Sequence, residues 1–497
     1  MRLKELLEGV DVASFVGGEE ACGRVEVTGL CDDSRFVRRG DLFFCRKGGA
    51  IDSHRFAEDV VRRGASAIVC ERELAVEIPQ IVVRDCRESM ALISAAFYDH
   101  PAQKLSIIGI TGTNGKTTTA YMLASILRRA GKKVGIIGTL GIYYGKKQIA
   151  PELTTPDPIF LQATLRDMLD EGIEYVVMEV SAHALYYKKD ASMDYAACIF
   201  TNLSQDHLDF FADMHAYGEA KRGLFRGDRC PVAIVNGDDA LGRKIGAERL
   251  ADGRRIIYYG LETPCDCFAI VTEESLRGTD VVFNVMDGIF RVPLSMTGVH
   301  NVYNALAAAT CAYELGISVE EIVEGLRQLR RVKGRLELVA EYCGAKIFVD
   351  FAHTPDGLEK SLQALKKHTK GRLFCLFGCG GNRDRAKRAL MGETVAKNAD
   401  YSIITSDNPR YEDPMDIISA IEKGYRRINT RYVIIPDRER AIEYSLDLLS
   451  LGDVLLLAGK GAEEYQEIMG IKYLFCDNDC VKKLIENKKG TFFGGKE

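Results

Sequence analysis

The segment Thr111–Thr119 lies between an apolar run and a predicted helix, and it contains two glycines, a lysine and several threonines. A glycine-rich turn at the start of a helix presents backbone N–H groups and the positive end of the helix dipole to phosphate. Lys116 would then reach the β- and γ-phosphates of a nucleotide, and the hydroxyl of Thr117 or Thr118 would bind Mg²⁺. Ile110 occupies the first glycine position of the usual GxxxxGK[ST] spacing. We therefore predict a variant phosphate-binding loop, in preference to a glycine-rich turn with an incidental lysine.

Polar residues follow two predicted strands of the same region. Glu179 comes after the apolar run Tyr175–Met178, and Asp206 and His207 come shortly after Ala197–Phe200. The carboxyl ends of parallel strands meet at one edge of a sheet, where a phosphate-binding loop also lies. These side chains are therefore candidate ligands for the divalent metal that phosphoryl transfer needs. Considered alone, each of these residues would more often be a polar side chain at the end of a strand that is hydrogen-bonded to a neighbouring loop.

The length of 497 residues predicts about three domains. Short apolar runs alternate with helical segments along the chain, which predicts an α/β fold. We expect a small N-terminal α/β domain at 1–101 and a central domain at 102–334, with a mostly parallel sheet and a small antiparallel insertion. The third domain, at 335–497, is predicted to be doubly wound and Rossmann-like.

The composition excludes several classes of protein. The net charge of −5 predicts no polyanion-binding surface, so we expect no nucleic-acid partner. The sequence shows neither a secretory leader nor an apolar run long enough to span a membrane, so we expect a cytoplasmic protein without membrane insertion. The 15 cysteines are scattered through apolar runs, which indicates buried side chains, not disulfides or zinc ligands.

Seven motifs along nearly the whole chain resemble, in order, those of the Mur ligases of peptidoglycan synthesis. They are Thr111–Thr118, Glu179–His183, Asn202–Asp209, Ala220–Lys221, His300–Ala305, Asp350–Asp356 and Asp407–Arg410. The chain is most similar to the members that add the third amino acid of the peptide. The resemblance implies a UDP-substrate domain, a central ATPase and an amino-acid domain, which agrees with the division above.

The resemblance also implies a nucleotide and metal site. ATP would be bound by Gly112, Thr113, Asn114, Gly115, Lys116, Thr117, Thr118, Asn301, Arg335 and Asp350. Two Mg²⁺ ions would be held by Thr117, Glu179, His207 and Lys221, the last as a carbamate formed with CO₂. Lys116, Lys221 and His207 would be the catalytic residues. Carbamylation requires a neutral amine, and without the resemblance Lys221 would be interpreted as a surface lysine on a helix at 216–224.

Two substrate sites follow from the same resemblance. The UDP-N-acetylmuramoyl-dipeptide would contact Ser34, Arg35, His54, Thr154, Thr155, Ser181 and Lys189. The amino acid would be bound by Arg383, Asp407, Asn408, Arg410, Gly459 and Glu463. For these polar loop residues, ordinary capping and turn chemistry is the alternative.

The segment Asp407–Arg410 resembles that of members that add meso-diaminopimelate. The distal centre of this amino acid carries both an ammonium and a carboxylate, and an arginine fork binds a carboxylate through two parallel hydrogen bonds. Lysine offers no such carboxylate, so binding it would leave Arg410 unmatched. Glu463 could bind the distal ammonium. The chain departs from the family pattern at Lys189, Lys333, Phe351 and Ala462.

The expected reaction is phosphorylation of a peptide carboxylate by ATP, followed by attack of an amine on the acyl phosphate. Closure of the domains would assemble the site, and we expect a monomer. One alternative is a diverged ligase that adds L-lysine or another amino acid. An alternative of another class is a non-catalytic ATP-driven nucleotide switch. A folylpolyglutamate synthetase is disfavoured, because a domain precedes the ATPase and the Asp407–Arg410 motif is present.

Overall fold

A computed structural model of the protein describes residues 1–48, 51–150 and 152–493. The fold is α/β with a large, mostly parallel central sheet, which confirms the predicted fold class. The chain separates into two compact units, which comprise 1–111, 132–198 and 220–232 in the first and 112–131, 199–219 and 233–497 in the second. Among the described residues, no helix combines the length and the apolarity needed to cross a membrane.

The N-terminal region is a small α/β layer structure. Its elements are α1 (Leu3–Leu6), β1 (Val12–Val16), α2 (Glu19–Gly23), β2 (Gly29–Cys31), β3 (Asp41–Phe44), α3 (Ala57–Arg62), β4 (Ala67–Cys70), β5 (Gln80–Val83) and α4 (Cys86–Phe97). The sheet order is β1-β5-β4-β3-β2. Strands β2 to β5 are parallel, and β1 runs antiparallel to β5. The fully buried strands β3 and β4 explain the continuous apolar runs in this part of the sequence.

The central region contains the phosphate-loop helix. Its elements are β6 (Ser106–Thr111), α5 (Lys116–Arg129), β7 (Val134–Gly138), β8 (Gly141–Tyr144), β9 (Lys147–Ile149), α6 (Pro158–Asp170), β10 (Tyr175–Glu179), α7 (Ala182–Tyr186), β11 (Ala197–Phe200), α8 (Met214–Arg222), β12 (Val232–Asn236), α9 (Ala240–Ala251), β13 (Arg255–Gly260), β14 (Cys267–Ser275), β15 (Gly278–Val285), β16 (Gly288–Leu294), α10 (Val299–Glu314) and α11 (Val319–Gln328).

In the first unit the strands of the central sheet follow the order β6-β10-β7-β8-β9, and β10 is parallel to both β6 and β7. Thr111 ends β6 and Glu179 ends β10, so both residues lie at the carboxyl ends of parallel strands. In the second unit the order is β16-β15-β14-β13-β12-β11. Strands β14, β15 and β16 are antiparallel, which confirms the predicted antiparallel insertion.

The C-terminal region is doubly wound. Its elements are β17 (Glu337–Tyr342), β18 (Ala345–Asp350), α12 (Pro355–Lys366), β19 (Leu373–Phe377), α13 (Ala386–Asn398), β20 (Tyr401–Ile404), α14 (Pro414–Tyr425), β21 (Tyr432–Ile434), α15 (Arg438–Leu448), β22 (Val454–Ala458), β23 (Tyr465–Ile468), β24 (Ile471–Leu474) and α16 (Asp477–Phe493). The sheet order is β17-β18-β22-β19-β20-β21. All of these strands except β17 are parallel to their neighbours.

Alternate residues of this sheet pack into two apolar cores. Cys375 and Phe377 join a core with α12, α13 and α14, while Phe374 and Leu376 join a second core with α15 and α16. Both faces of the sheet are therefore covered. This arrangement explains why the strands are continuously apolar in sequence, and it leaves the loops at the carboxyl ends of the strands available for a site.

Candidate active site

The phosphate loop requires glycine at two positions. Gly115 has a φ of 89° and Gly112 a φ of 150°, a region that L side chains rarely adopt. A Cβ at Gly115 would collide with the side chain of Asn304, and one at Gly112 would collide with that of Thr201. The backbone conformation and the close neighbours of this loop therefore explain why glycine occupies positions 112 and 115.

Lys116 lies across the loop that precedes its helix. Its ammonium donates to the carbonyl oxygens of Gly112 at 2.9 Å and Thr113 at 3.0 Å. Arg335 approaches the same turn and donates to Thr117 Oγ1 at 2.8 Å. Two cations thus lie at the N-terminal end of α5, where the helix dipole already favours an anion.

Two further predicted ATP residues are connected to this turn. Asn304 donates to Asn301 Oδ1 at 3.2 Å and accepts from Thr119 Oγ1 at 3.3 Å. Asp350 accepts from the backbone N–H of Leu336 at 3.2 Å, next to Arg335 in the chain. The second unit therefore brings together the predicted residues around the loop, and Asn304 is a linking residue that the sequence did not reveal by itself.

Asn114 is held by contacts that sequence reasoning missed. Its backbone N–H donates to Asn202 Oδ1 at 3.0 Å, and its side chain donates to Ser204 Oγ at 3.3 Å and to Asp356 Oδ2 at 2.8 Å. Each of these partners lies within one of the seven motifs given above. Membership of a motif is therefore the feature of the sequence that could have identified them. The Asp356 contact connects the phosphate loop to the start of α12.

Asp206 is a buried carboxylate surrounded by three basic side chains. Its oxygens lie 3.5 Å from His207 Nε2, 3.6 Å from His353 Nε2 and 3.4 Å from Lys387 Nζ. Although burial alone would raise it, the pKa of Asp206 is held far below its usual range by these three groups. Lys387 was not predicted, because no sequence spacing relates α13 to the loop that holds Asp206.

Glu179 in the first unit is also buried. Its carboxylate accepts from the backbone N–H and the hydroxyl of Thr139, at 2.9 and 3.1 Å. Thr154 lies 3.2 Å from the same hydroxyl, Thr155 donates to the carbonyl oxygen of Glu179, and Ser181 donates its N–H to Thr155 Oγ1. Three predicted substrate contacts therefore converge on this predicted metal ligand.

Lys189 belongs to the same group through Thr155. Its ammonium lies 2.8 Å from Asp157 Oδ1 and 3.5 Å from the carbonyl oxygen of Thr155. Arg46 extends the arrangement, since it lies 3.9 Å from Asp157 and 2.5 Å from Asp32. Arg46 therefore places a guanidinium near Lys189, where the family usually has an arginine.

The other predicted UDP contacts lie in the N-terminal region. Arg35 is exposed and pairs with Asp33 at 2.6 Å, and Ser34 is half-buried. His54 is buried, with Nδ1 2.6 Å from Asp52 Oδ1 and Nε2 accepting from the N–H of Glu71. Contact of these three residues with a uridine nucleotide stays a prediction.

Lys221 is almost completely buried, with 1% of its surface exposed. It lies at the end of α8, which covers 214–222 where the sequence indicated 216–224. Its burial does not fit the alternative of a surface lysine. Carbamylation of this amine stays a prediction.

The predicted amino-acid residues meet in the second unit. Asn408 donates to Glu463 Oε2 at 2.8 Å, and Gly459 lies so close to Asp407 that a Cβ would collide with the carboxylate. Lys460, which was not predicted, donates to Asn408 Oδ1 at 3.2 Å and to Glu463 Oε2 at 3.1 Å. Burial and the Asp407 carboxylate raise the pKa of Glu463 against the opposing effect of Lys460.

Arg410 has an unusual backbone conformation, with a φ of 53°. Its side chain donates to the carbonyl oxygen of Gly381 at 2.8 Å. A Cβ at Gly380 would lie 2.9 Å from the Arg410 guanidinium and 3.9 Å from Arg383 Cγ, so the two arginines predicted for this pocket are neighbours.

A buried ion pair supports the loops of this pocket. The guanidinium of Arg438 donates to both carboxylate oxygens of Asp477, at 2.8 and 2.7 Å, and neither side chain is exposed. It also donates to the carbonyl oxygens of Ser406 and Ala458, the residues that precede Asp407 and Gly459.

We expect Arg438→Ala to destabilise the protein by about 3–5 kcal/mol, because it leaves Asp477 buried without its counter-ion. Denaturant unfolding of the variant measures this loss. Arg440→Ala, an exposed position on the same helix, is the matched control. An unfolding midpoint equal to that of the wild type would show that the pair contributes nothing to stability.

The donor groups of the predicted metal ligands suit Mg²⁺, which prefers oxygen. Thr117 offers a hydroxyl and Glu179 a buried carboxylate, while the imidazole of His207 is a softer ligand. Across the described residues, no three His, Cys, Asp or Glu side chains form a metal-binding cluster. That these residues share a magnesium site stays a prediction.

Comparison with protein families identifies three consecutive matches. Residues 26–101 match the Mur ligase family catalytic domain, 110–312 the Mur ligase middle domain and 334–461 the Mur ligase glutamate ligase domain. The chain belongs to the Mur ligase family. The three matches fall in all three regions of the sequence.

One such relative, from Geobacillus thermodenitrificans (strain NG80-2), is named "UDP-N-acetylmuramoyl-L-alanyl-D-glutamate--2,6-diaminopimelate ligase". It is 42% identical over 468 residues, which cover 93% of this Mur ligase and 95% of the relative. A Clostridium acetobutylicum protein with the same name, numbered 1, is 41% identical and covers 98% of this chain and 99% of its own. A solved structure of a ligase with that name aligns with a TM-score of 0.71 and 31% identity over 98% of this chain and 99% of that one.

MurF from Acinetobacter baumannii aligns with a TM-score of 0.67 over 98% of both chains at 23% identity. At that identity the likeness concerns the fold alone. The two proteins share this three-region α/β fold.

Proposed function

We propose that this Mur ligase is a UDP-N-acetylmuramoyl-tripeptide synthetase. It would use ATP to join meso-diaminopimelate to UDP-N-acetylmuramoyl-L-alanyl-D-glutamate. The observation that carries the choice of amino acid is Arg410, whose guanidinium is held by the carbonyl oxygen of Gly381 at 2.8 Å and by Glu467 at 3.2 Å. Relatives of about 40% identity are named for the same amino acid, which supports this proposal.

The first step is phosphorylation of the dipeptide carboxylate by ATP. The backbone N–H groups of the loop and the ammonium of Lys116 bind the phosphates, and Arg335 adds positive charge where the transferred group passes. Asn301 and Asp350 orient the nucleoside.

Thr117, Glu179, His207 and the carbamate of Lys221 are the groups that would hold the two Mg²⁺ ions. Mg²⁺, when bound, supplies charge neutralisation along the phosphoryl path. Thr139 fixes the Glu179 carboxylate through two hydrogen bonds, so that this ligand is oriented before any ion arrives.

The second step is attack of the amine on the acyl phosphate, which releases phosphate and forms the amide bond. The pocket of Arg383, Asp407, Asn408, Arg410, Gly459 and Glu463 orients the incoming amino acid, and catalysis is mainly positioning. The domain boundaries at 101 and 334, the monomeric state and the cytoplasmic location are further parts of the proposal.

A reconstituted assay with ATP, the UDP-linked dipeptide and a panel of amino acids tests the proposal. We expect meso-diaminopimelate to give the highest kcat/KM. A higher value with L-lysine would reject the choice of amino acid in favour of the diverged ligase.

The same assay separates a ligase from an ATP-driven nucleotide switch. A ligase releases phosphate only when both the dipeptide and an amino acid are present, whereas a switch hydrolyses ATP without regard to either. The buried Lys221 and the oriented Glu179 favour the ligase, since a switch has no need of them.

A further inference from the structure

Arg46 lies between two carboxylates of the first unit. Its Nη2 is 2.5 Å from Asp32 Oδ2, and its Nη1 is 3.9 Å from Asp157 Oδ1. Burial raises the pKa of Asp32, while Arg46 opposes this rise and the Asp157 carboxylate adds to it. The two carboxylates are therefore close enough to repel each other, and the guanidinium of Arg46 supplies the positive charge between them.

The backbone of Arg46 is tied to the turn that contains His54. The N–H of Arg46 donates to Ser53 Oγ at 2.6 Å, and its carbonyl oxygen accepts from the N–H and the hydroxyl of Ser53, both at 2.9 Å. His54, the next residue, is a predicted contact of the uridine nucleotide. These three hydrogen bonds fix the position from which the Arg46 side chain extends.

The side chain of Arg46 connects two further segments that carry predicted substrate contacts. Asp32 stands two residues before Ser34 in the chain. Asp157 lies 2.8 Å from the ammonium of Lys189. The predicted substrate contacts of the first unit thus come from three segments, and Arg46 is linked to each of them through the backbone or the side chain.

The guanidinium of Arg46 has unused hydrogen-bonding capacity. A guanidinium has five N–H donors, and within the part of the chain that the structure describes, only Nη2 has an acceptor at hydrogen-bond distance. The separation of 3.9 Å between Nη1 and Asp157 is too long for a hydrogen bond. Because 30% of the side chain is exposed, a small molecule can reach the remaining donors.

We propose that Arg46 is a binding residue for an oxyanion of the UDP-linked substrate. A planar guanidinium binds a phosphate or a carboxylate through two parallel hydrogen bonds, which the ammonium of a lysine cannot do. The substrate offers both groups, in its diphosphate and in its dipeptide. Arg46 supplies the fork, and Lys189 adds a point charge beside it. This inference rests on the proposed function, because it concerns the substrate of the same reaction.

Titration of the UDP-linked dipeptide into the protein, without ATP or amino acid, tests this assignment. We expect Arg46→Ala to raise the Kd about tenfold. Arg46→Lys should raise it less, because lysine retains the charge but not the fork. Arg62→Ala, which removes an exposed arginine paired with Asp59, is the matched control and should bind as the wild type does. Isothermal titration calorimetry measures these constants.

Titration of UDP alone distinguishes the two sources of the oxyanion. A weaker affinity of Arg46→Ala for UDP assigns the contact to the diphosphate. A loss confined to the UDP-linked dipeptide assigns it to a carboxylate of the muramoyl-dipeptide portion. Equal affinity of Arg46→Ala and the wild type for both ligands would overturn the assignment.

A double variant, Asp32→Asn with Arg46→Ala, separates binding of the substrate from neutralisation of the two carboxylates. It removes one of the two repelling charges, yet we expect it to bind the UDP-linked dipeptide about tenfold more weakly than the wild type. Wild-type affinity in the double variant would show that Arg46 only neutralises its neighbours. A wild-type protein that does not bind the UDP-linked dipeptide would overturn the proposed function, and the assignment with it, before any variant is made.

Discussion

Lys221→Ala is expected to abolish ligation, with a loss of at least about a hundredfold in kcat. The variant removes the amine that would become a carbamate, and with it a ligand for the metal beside the phosphoryl path. We expect a short carboxylic acid such as acetate or formate to restore part of the rate, because its carboxylate can enter the space that the side chain leaves. Steady-state release of phosphate measures both effects.

The control for this variant is Lys146→Ala, which removes an exposed lysine in the turn between β8 and β9. Incorporation of isotopically labelled bicarbonate into the wild-type protein, followed by NMR, gives a readout that does not depend on turnover. Full activity of Lys221→Ala would eliminate the carbamate from the mechanism. So would a labelled signal that is equally strong in wild type and variant.

Arg410→Lys is expected to lower kcat/KM for meso-diaminopimelate about a hundredfold while the KM for ATP stays constant. Lysine keeps the positive charge but offers no planar fork for the distal carboxylate. It also cannot donate in the same geometry to Gly381 and Glu467. The measurement is the dependence of the rate on the concentration of the amino acid at saturating ATP and dipeptide.

Arg385→Lys makes the same change at an exposed arginine that pairs with Glu412 at 3.1 Å, and it should behave as the wild type does. Unchanged kinetics in Arg410→Lys would show that Arg410 does not recognise the substrate. An equal rise of the KM for ATP would indicate a general disturbance of the domain.

The fold could be predicted from the sequence where burial dictates residue type. The C-terminal strands are apolar on both faces because two helical layers cover them, and this pattern is visible without coordinates. The ends of the helices were predicted less accurately. The helix predicted at 216–224 covers 214–222.

The β23–β24 hairpin was not predicted, because its strands are short and β24 is entirely exposed. With four residues each, the two strands are too short to give a clear periodic signal. The hairpin instead contacts the Asp407–Arg410 loop through backbone hydrogen bonds. Residue type does not predict such bonds, because every residue except proline can form them.

The candidate site shows the same division. Motif residues such as Lys116 and Glu179 could be identified because their residue types and their positions in the motifs predict their chemistry. Lys387 and Arg438 could not, since each acts through a partner that is distant in the chain, Asp206 and Asp477 respectively. Only the tertiary structure pairs them.

The central claim is that ATP is consumed in order to join an amino group to an activated carboxylate. The most direct measurement is the stoichiometry of products from the purified protein supplied with ATP, UDP-N-acetylmuramoyl-L-alanyl-D-glutamate and meso-diaminopimelate. We predict equal amounts of ADP, phosphate and UDP-linked tripeptide, with none formed when any one substrate is omitted. ADP and phosphate that accumulate without a tripeptide would contradict the account.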